Sequence, residues 1–294
     1  MAKFCFRFSR YRRQDKTSWT HFSPYFELNL TMQPKKSLGQ NFLANDSIAE
    51  RIANSANFSS RENVLEIGPG TGILTKYLAK KAAKVLALEI DRDLAGKLQK
   101  EKYKNTKIIE GDILKINLPR LIEENNFKEY KVVANLPYYI TSKIIRLLLE
   151  TKYTPQEMVL MVQKEVGERI VALDGKESIL SISVKFYADP ELLFDVSREN
   201  FDPSPEVDSA VIRIKRKENI PDIDIKQFFS LVRAGFSSKR KMLVNNLSSS
   251  FQISKDKILE WMKKSGLEPG VRAEKLGVED WVKLYEVIGN EQFR

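Results

Sequence analysis

The stretch Val64-Leu65-Glu66-Ile67-Gly68-Pro69-Gly70-Thr71-Gly72 sets an apolar run of strand length against a loop with glycine at every second position. Such a run, closed by a turn, reads as a strand buried on both faces of a parallel sheet, and Ile73 to Lys81 after it read as a helix. Glycine at a strand-to-helix junction lets backbone approach a ligand closely. The spacing is G-x-G-x-G, with Ile73 standing where a dinucleotide fingerprint needs its third glycine, so a nicotinamide cofactor is disfavoured. Glu66, Gly68, Gly70 and Gly72 suit S-adenosylmethionine instead. A glycine turn without any ligand is the competing reading.

Working outward, the next strand, Lys84 to Ile90, ends in Glu89 and is followed by Asp91. An acid at the end of a second strand is placed to take both ribose hydroxyls of a nucleoside, a role assigned to Glu89, while Asp91 caps a helix from Arg92 to Lys102. A third strand, Thr106 to Glu110, ends in Gly111-Asp112-Ile113. Asp112 suits the adenine amine of the cofactor and Ile113 its ring, although an acid after glycine is also ordinary turn chemistry. The short β-branched run Tyr130 to Ala134 makes a fourth strand, ending at Asn135-Leu136-Pro137-Tyr138, and Thr141 to Glu150 behind it has the period of an amphipathic helix. Candidate ligand-binding residues thus recur at four successive strand ends, the edge at which open α/β sheets bind ligands.

The last of these ends suits a flat base bearing an exocyclic amine. The lone pair of such an amine is delocalised into the ring, and two acceptors aimed at its hydrogens draw the nitrogen toward tetrahedral geometry. The Asn135 side-chain oxygen and the Leu136 carbonyl supply two acceptors, Pro137 fixes the turn and Tyr138 offers a stacking face. An ordinary strand-to-helix loop is the alternative, since Asn and Pro are common turn residues.

Before the glycine loop, Lys35-Lys36-Ser37-Leu38-Gly39-Gln40-Asn41-Phe42-Leu43 leads to Asp46, read as the cap of a helix through Ile48 and Ile52. After Tyr138 come a strand at Glu157 to Val162, helices over Lys164 to Ala172 and Ile179 to Tyr187, and a strand near Leu192 to Val196. Phe201-Asp202-Pro203-Ser204-Pro205-Glu206-Val207-Asp208-Ser209-Ala210-Val211 then enters an alternating strand. Two prolines hold Phe201 on a loop, either as a hinge or as the second face of a base clamp with Tyr138. From Lys217 the pattern changes to short helices at Ile225 to Phe236, Lys239 to Leu247, Lys255 to Lys264 and Val278 to Ile288. Lys239, Arg240 and Lys241 fall in the first turn of one of them, where cations oppose the macrodipole and suggest an anionic partner; a solvated charge run is the alternative.

Composition narrows the chemistry. With one cysteine (Cys5) and one histidine (His21), both within residues 1–31, the body offers no Cys nucleophile, His base or Cys/His metal cluster. The net charge of +10 is spread thinly, so a nucleic-acid partner must be argued from patches. No apolar run approaches the ~20 residues of a membrane span and no signal peptide precedes the body, so a cytoplasmic protein without membrane contact is expected. Residues 1–31 mix Arg with aromatics and admit three readings: a misassigned start with Met32 the true first residue, a basic RNA-touching arm, or a transit peptide.

Taken together, GQNFL, LEIGPGTGILT, LALEID, GDIL, NLPYYI, QKEVGERI, FDPSPEVDSAV, FSSKRKMLVNNL and VRAEKLGVEDW resemble, in order and spacing across residues 33–290, the small-subunit (16S) ribosomal RNA adenine N6,N6-dimethyltransferase family. One departure is Ser178-Ile179, where relatives often have Tyr-Gly. The resemblance implies an α/β fold, with a Rossmann-like S-adenosylmethionine-dependent methyltransferase domain over 32–216 and a small all-helical RNA-binding domain over 217–294. It implies dimethylation of two adjacent adenosines near the 3′ end of small-subunit rRNA within an immature ribosomal subunit, by a monomer without a metal. Cofactor contacts carry over to Asn41, Leu43, Gly68, Gly70, Glu89, Asp112, Ile113 and Asn135, and the acceptor site to Asn135, Leu136, Pro137, Tyr138 and Phe201. Two alternatives stand beside it: a large-subunit rRNA adenine methyltransferase of the macrolide-resistance type, and a mainly RNA-binding assembly or transcription factor on the same scaffold.

Overall fold

A computed structural model of the protein describes residues 40–58 and 62–292. The expectations for residues 1–31 and for Lys35 to Gly39 fall outside them. The described residues form nine strands, β1 (Phe42–Leu43), β2 (Asn63–Ile67), β3 (Lys84–Glu89), β4 (Thr106–Glu110), β5 (Tyr130–Asn135), β6 (Glu157–Gln163), β7 (Ala188–Val196), β8 (Phe201–Asp202) and β9 (Ser209–Arg216). Seven build one sheet in the order β4-β3-β2-β5-β6-β9-β7, parallel from β4 to β6 and antiparallel where β9 inserts between β6 and β7. Central strands of a parallel sheet are covered on both faces and must be apolar throughout. The sequence obeys this, since Val132, Val133 and Ala134 of β5 and Val159, Leu160 and Met161 of β6 are wholly buried.

Strand order reverses between β2 and β5, because β3 and β4 step to one side of β2 and β6 to the other side of β5. The β2–β5 ladder runs from Asn63–Tyr130 to Leu65–Val132 and goes no further. Beyond it each strand holds to its outer neighbour, with Gly68 N–H donating to Leu88 O and Leu136 N–H to Met161 O. A crevice therefore opens at the carboxyl ends of β2 and β5, the switch point at which doubly wound sheets bind ligands. At the opposite edge the buried Lys131 of β5 is satisfied by Glu62 and by the Ala56 carbonyl, and so serves the fold.

Local chemistry explains most element boundaries and corrects some expectations. The first described helix, Asp46–Ser55, is capped by Asn45 rather than Asp46: Asn45 Oδ1 accepts from Ser47 N and Ile48 N, while Asp46 takes Tyr77 Oη and Lys76 Nζ. Asp91 caps Arg92–Leu98 as expected, and that helix tightens into a 3₁₀ turn at Gln99–Glu101. At the departure Ser178-Ile179, Ser178 forms a reciprocal capping box with Ser181 and starts the helix Ile179–Tyr187. The strand expected near Leu192 extends back to Ala188, where pairing with β9 overrides the Asp-Pro that would otherwise mark a turn.

The helix expected from Lys239 instead begins at Leu243, and Lys239, Arg240 and Lys241 occupy the turn before it. A competing capping scheme explains this. Buried Asn246 donates from Nδ2 to Gly235 O (2.5 Å) and Ser238 O (3.0 Å), and Lys241 N–H also donates to Ser238 O, which holds the turn and leaves the cations outside the helix. The helices Ile225–Gly235, Leu243–Phe251, Lys255–Lys264 and Val278–Gln292 follow β9. Phe228 and Phe229 pack on Phe186 at centroid separations of 4.8 and 5.5 Å, so these helices share one apolar cluster with the sheet, and the described residues belong to a single compact unit. Among the described residues no helix is long and apolar enough to cross a membrane.

The join between the first and last of these helices is tight enough to test. A Cβ at Gly235 would lie 2.3 Å from Trp281 Cη2 and 3.0 Å from Leu243 Cδ1, and Trp281 is fully buried. Gly235→Ala should therefore lose about 1–3 kcal/mol in urea unfolding despite the better helix propensity of alanine. A more stable variant would contradict this packing.

Candidate active site

The crevice brings the glycine loop, three acidic side chains and the Asn135 tetrapeptide together. Its lining includes Asn41, Leu43, Glu66, Gly68, Gly70, Glu89, Asp112, Ile113, Asn135, Leu136, Pro137 and Tyr138, so every expected site residue of the cofactor and acceptor sets except Phe201 meets there. Gly68, Gly70 and Gly72 take φ of 69°, 57° and 86°, the left-handed region that a side chain would strain. The ring of Phe42 covers the loop, with Cδ1 3.1 Å from where a Cβ on Gly70 would stand.

Glu89 ties this loop to β3. One carboxylate oxygen accepts from Gly70 N–H (3.0 Å) and the other from Asp91 N–H (2.9 Å). The group is 3% exposed, and burial raises its pKa against these two backbone hydrogen bonds. Asp112 Oδ1 is engaged by Leu114 N–H, which fixes the turn after β4. Asp91, besides capping its helix, accepts from Gln40 Nε2 at 3.2 Å and so holds the segment leading to Asn41.

Glu66 is different. It is 1% exposed in the wall of the crevice, and neither carboxylate oxygen has a hydrogen-bond partner among the described residues. Burial pushes its carboxyl up to about 8, with the Thr75 hydroxyl opposing from outside hydrogen-bond geometry and the Glu89 charge adding to the rise. A buried acid without a partner is costly unless something cationic or a proton answers it. S-adenosylmethionine carries a sulfonium and an ammonium, and a glycine loop open to backbone approach beside an unanswered carboxylate fits that group. Glu66, Gly68, Gly70 and Glu89 are the residues that would hold it.

On the acceptor side the Asn135 carboxamide and the Leu136 carbonyl receive no hydrogen bond among the described residues, whereas the Pro137 carbonyl accepts from Ile140 N–H and Thr141 Oγ1. The two acceptors proposed for an amine are thus left free by a turn whose own needs are met. Tyr138 lines the crevice, and Tyr139 stands 59% exposed at its mouth. Phe201 does not join them. It pairs with Leu43 in the β1–β8 ribbon and is 5% exposed within a second apolar cluster with Ile73, Val196 and Val211, so its ring belongs to the core in this structure.

Lys239, Arg240 and Lys241 lie away from the crevice and are exposed, with no ion pair among the described residues. Lys239 and Lys241 line a second groove together with Arg146 and Arg169. Sequence reasoning missed Asn200, whose carbonyl and Oδ1 accept from Ala44 N–H and Asn45 Nδ2 and so fasten the β1 segment beside the crevice. It also missed Ser209, which meets Tyr138 from 71 residues away. Neither residue stands in a pattern that would announce a partner so remote.

The fold and this site define a Rossmann-like methyltransferase that takes S-adenosylmethionine. Residues 31–290 match the family described as ribosomal RNA adenine dimethylase. The chain is 42% identical over 269 residues to the ribosomal RNA small subunit methyltransferase A of Dehalococcoides mccartyi, covering 88% of this chain and 90% of that one. It is 42% identical over 263 residues to the protein of the same name from Fusobacterium nucleatum, covering 86% and 97%. Among solved structures it is similar to a dimethyladenosine transferase from Plasmodium falciparum (TM-score 0.72, 29% identity, 85% of this chain and 98% of that one). It is also similar to the 23S rRNA methyltransferase ErmE (TM-score 0.68, 27% identity, 84% and 99%). This chain belongs to the ribosomal RNA adenine dimethylase family.

The Glu66 environment has a measurable signature. In the unfolded chain its carboxyl titrates near 4.5, and in the folded, cofactor-free protein near 8. Between those values the folded state holds a proton that the unfolded state has released, so this group's contribution makes stability fall as pH rises through the window, by on the order of 3–5 kcal/mol in all. Glu66→Gln should flatten that part of the curve when Tm is followed against pH by calorimetry. An unchanged slope would mean that the carboxyl is solvated or already answered.

Proposed function

We propose that the protein dimethylates N6 of two adjacent adenosines near the 3′ end of small-subunit ribosomal RNA, using S-adenosylmethionine and acting on an immature subunit. It works as a monomer in the cytoplasm and needs no metal. The observation that carries this reading is the pair of free acceptors, Asn135 Oδ1 and Leu136 O, beside the glycine loop in one crevice with Tyr138. Family membership and the names of the 42%-identical relatives support the substrate.

When bound, S-adenosylmethionine supplies an electrophilic methyl group. The chain's own residues prepare the nitrogen. Asn135 Oδ1 and Leu136 O accept its two hydrogens and favour tetrahedral geometry, while Tyr138 holds the flipped base by stacking, worth ~1–3 kcal/mol against an unstacking cost of a few kcal/mol. Methylation makes the amine briefly cationic and acidic, so water takes its proton and no strong base is needed. Phe201 closes the other face of the base only if the β1–β8 ribbon moves, since its ring is now in the core. Lys239, Arg240 and Lys241 bind phosphate, and the helical region over 217–294 serves as the RNA-binding part of the chain.

Three measurements test this reading. Label from S-adenosylmethionine should appear as dimethyladenosine at neighbouring positions of unmethylated small subunits. Label on large subunits would favour the activity named for ErmE, and tight binding without label would favour an assembly factor. Asn135→Ala should lower kcat by on the order of 100-fold, and full activity would sink the two-acceptor mechanism. Replacing Lys239, Arg240 and Lys241 by Ala should reduce the salt slope of subunit binding by roughly two to three, and an unchanged slope would return them to plain surface.

A further inference from the structure

Tyr138 lines the crevice, and its hydroxyl is committed to a remote partner. Tyr138 Oη lies 2.6 Å from Ser209 Oγ. Ser209 is fully buried and opens β9, where its backbone stands opposite Gln163 of β6 on one side and Val196 of β7 on the other. It is thus one of the most firmly held positions near the site. Tyr138 itself begins a single 3₁₀ turn, Tyr138–Ile140, which is closed by a local backbone hydrogen bond from Ile140 N–H to Pro137 O.

A stacking ring acts through its face, and phenylalanine would stack as well as tyrosine. The hydroxyl of Tyr138 therefore needs another use, and its only hydrogen-bond partner among the described residues is Ser209. A short hydrogen bond from a half-buried ring to a fully buried hydroxyl restrains the ring more than the turn can alone, because losing the Tyr138 hydroxyl strands Ser209 away from water. Reaction geometry is sensitive to shifts of about 1 Å, so a ring free to tilt would misplace the base without releasing the RNA.

We propose that Ser209 is a positioning residue for methyl transfer: through its hydroxyl it fixes the tilt and depth of the Tyr138 ring against which the acceptor base is held. The inference rests on the reading of Tyr138 as the base-stacking residue given above. It separates Ser209 from residues that contact cofactor or RNA, because its effect passes through Tyr138 alone.

The test is a cycle of Ser209→Ala, Tyr138→Phe and the double variant, assayed on unmethylated small subunits. Each single change should lower kcat by about tenfold with KM for the subunit within about twofold, and the double variant should be no worse than either single. Additive losses, or a loss confined to KM, would overturn the inference. Hydrogen exchange on the cofactor-free protein gives a readout independent of turnover. Both single variants should exchange faster across residues 138–141 while β6 stays protected, and unchanged exchange would show that the bond does not hold the turn. If the parent methylates small subunits and the variants match it, this inference fails alone; if the parent labels no ribosomal RNA, the reading beneath it fails too.

Discussion

Pairing between β2 and β5 ends at Leu65–Val132, and the site exists because it ends there. Past that point the two strands turn their hydrogen bonds outward, to Leu88 on one side and Met161 on the other, and the sheet parts at its reversal point. Glycine with positive φ lines one wall, and the other carries an asparagine side chain and a carbonyl that accept no hydrogen bond among the described residues. A fully paired sheet would have filled the gap with backbone. Glu66 lines this opening, which is why its buried carboxyl has no hydrogen-bond partner among the described residues.

The two acids of the crevice divide the work by environment. Glu89 is buried but answered by two backbone N–H groups, so it fastens the glycine loop to the neighbouring strand before it can touch any ligand. Glu66 is buried and unanswered, so it is the group whose energy changes most when a cation arrives. Residues at one sheet edge thus fall into those that hold the shape and those left open for binding. The amino edge has no such division, since Lys131 is satisfied there by Glu62 and backbone.

Much of this was legible in the chain. A run of apolar residues closed by glycine marked β2, the alternation of strands and helices marked a parallel sheet, and Glu89, Asp112 and Asn135 marked consecutive carboxyl ends. What escaped was set by partners far away in sequence. Phe201 reads as a loop aromatic free to stack, but its strand pairing with Leu43 buries it. Lys239 reads as the start of a helix, but Asn246 reaches back to Gly235 and Ser238 and delays that start to Leu243. Asn45 displaces Asp46 as a cap because Asp46 is claimed by Tyr77 and Lys76 from the next helix. Local propensity is overruled wherever a buried polar group finds a better donor or acceptor across the fold.

Methyl transfer by this route requires the acceptor amine to sit between the parted strands. The most direct measurement is a crystal structure with a bisubstrate analogue in which the adenosine N6 is joined to the cofactor. The prediction is an adenosyl group along Gly68–Gly70, with the linked nitrogen within hydrogen-bond distance of Asn135 Oδ1 and Leu136 O and its base against Tyr138. A nitrogen held by other residues, with Asn135 and Leu136 still facing solvent, would contradict it.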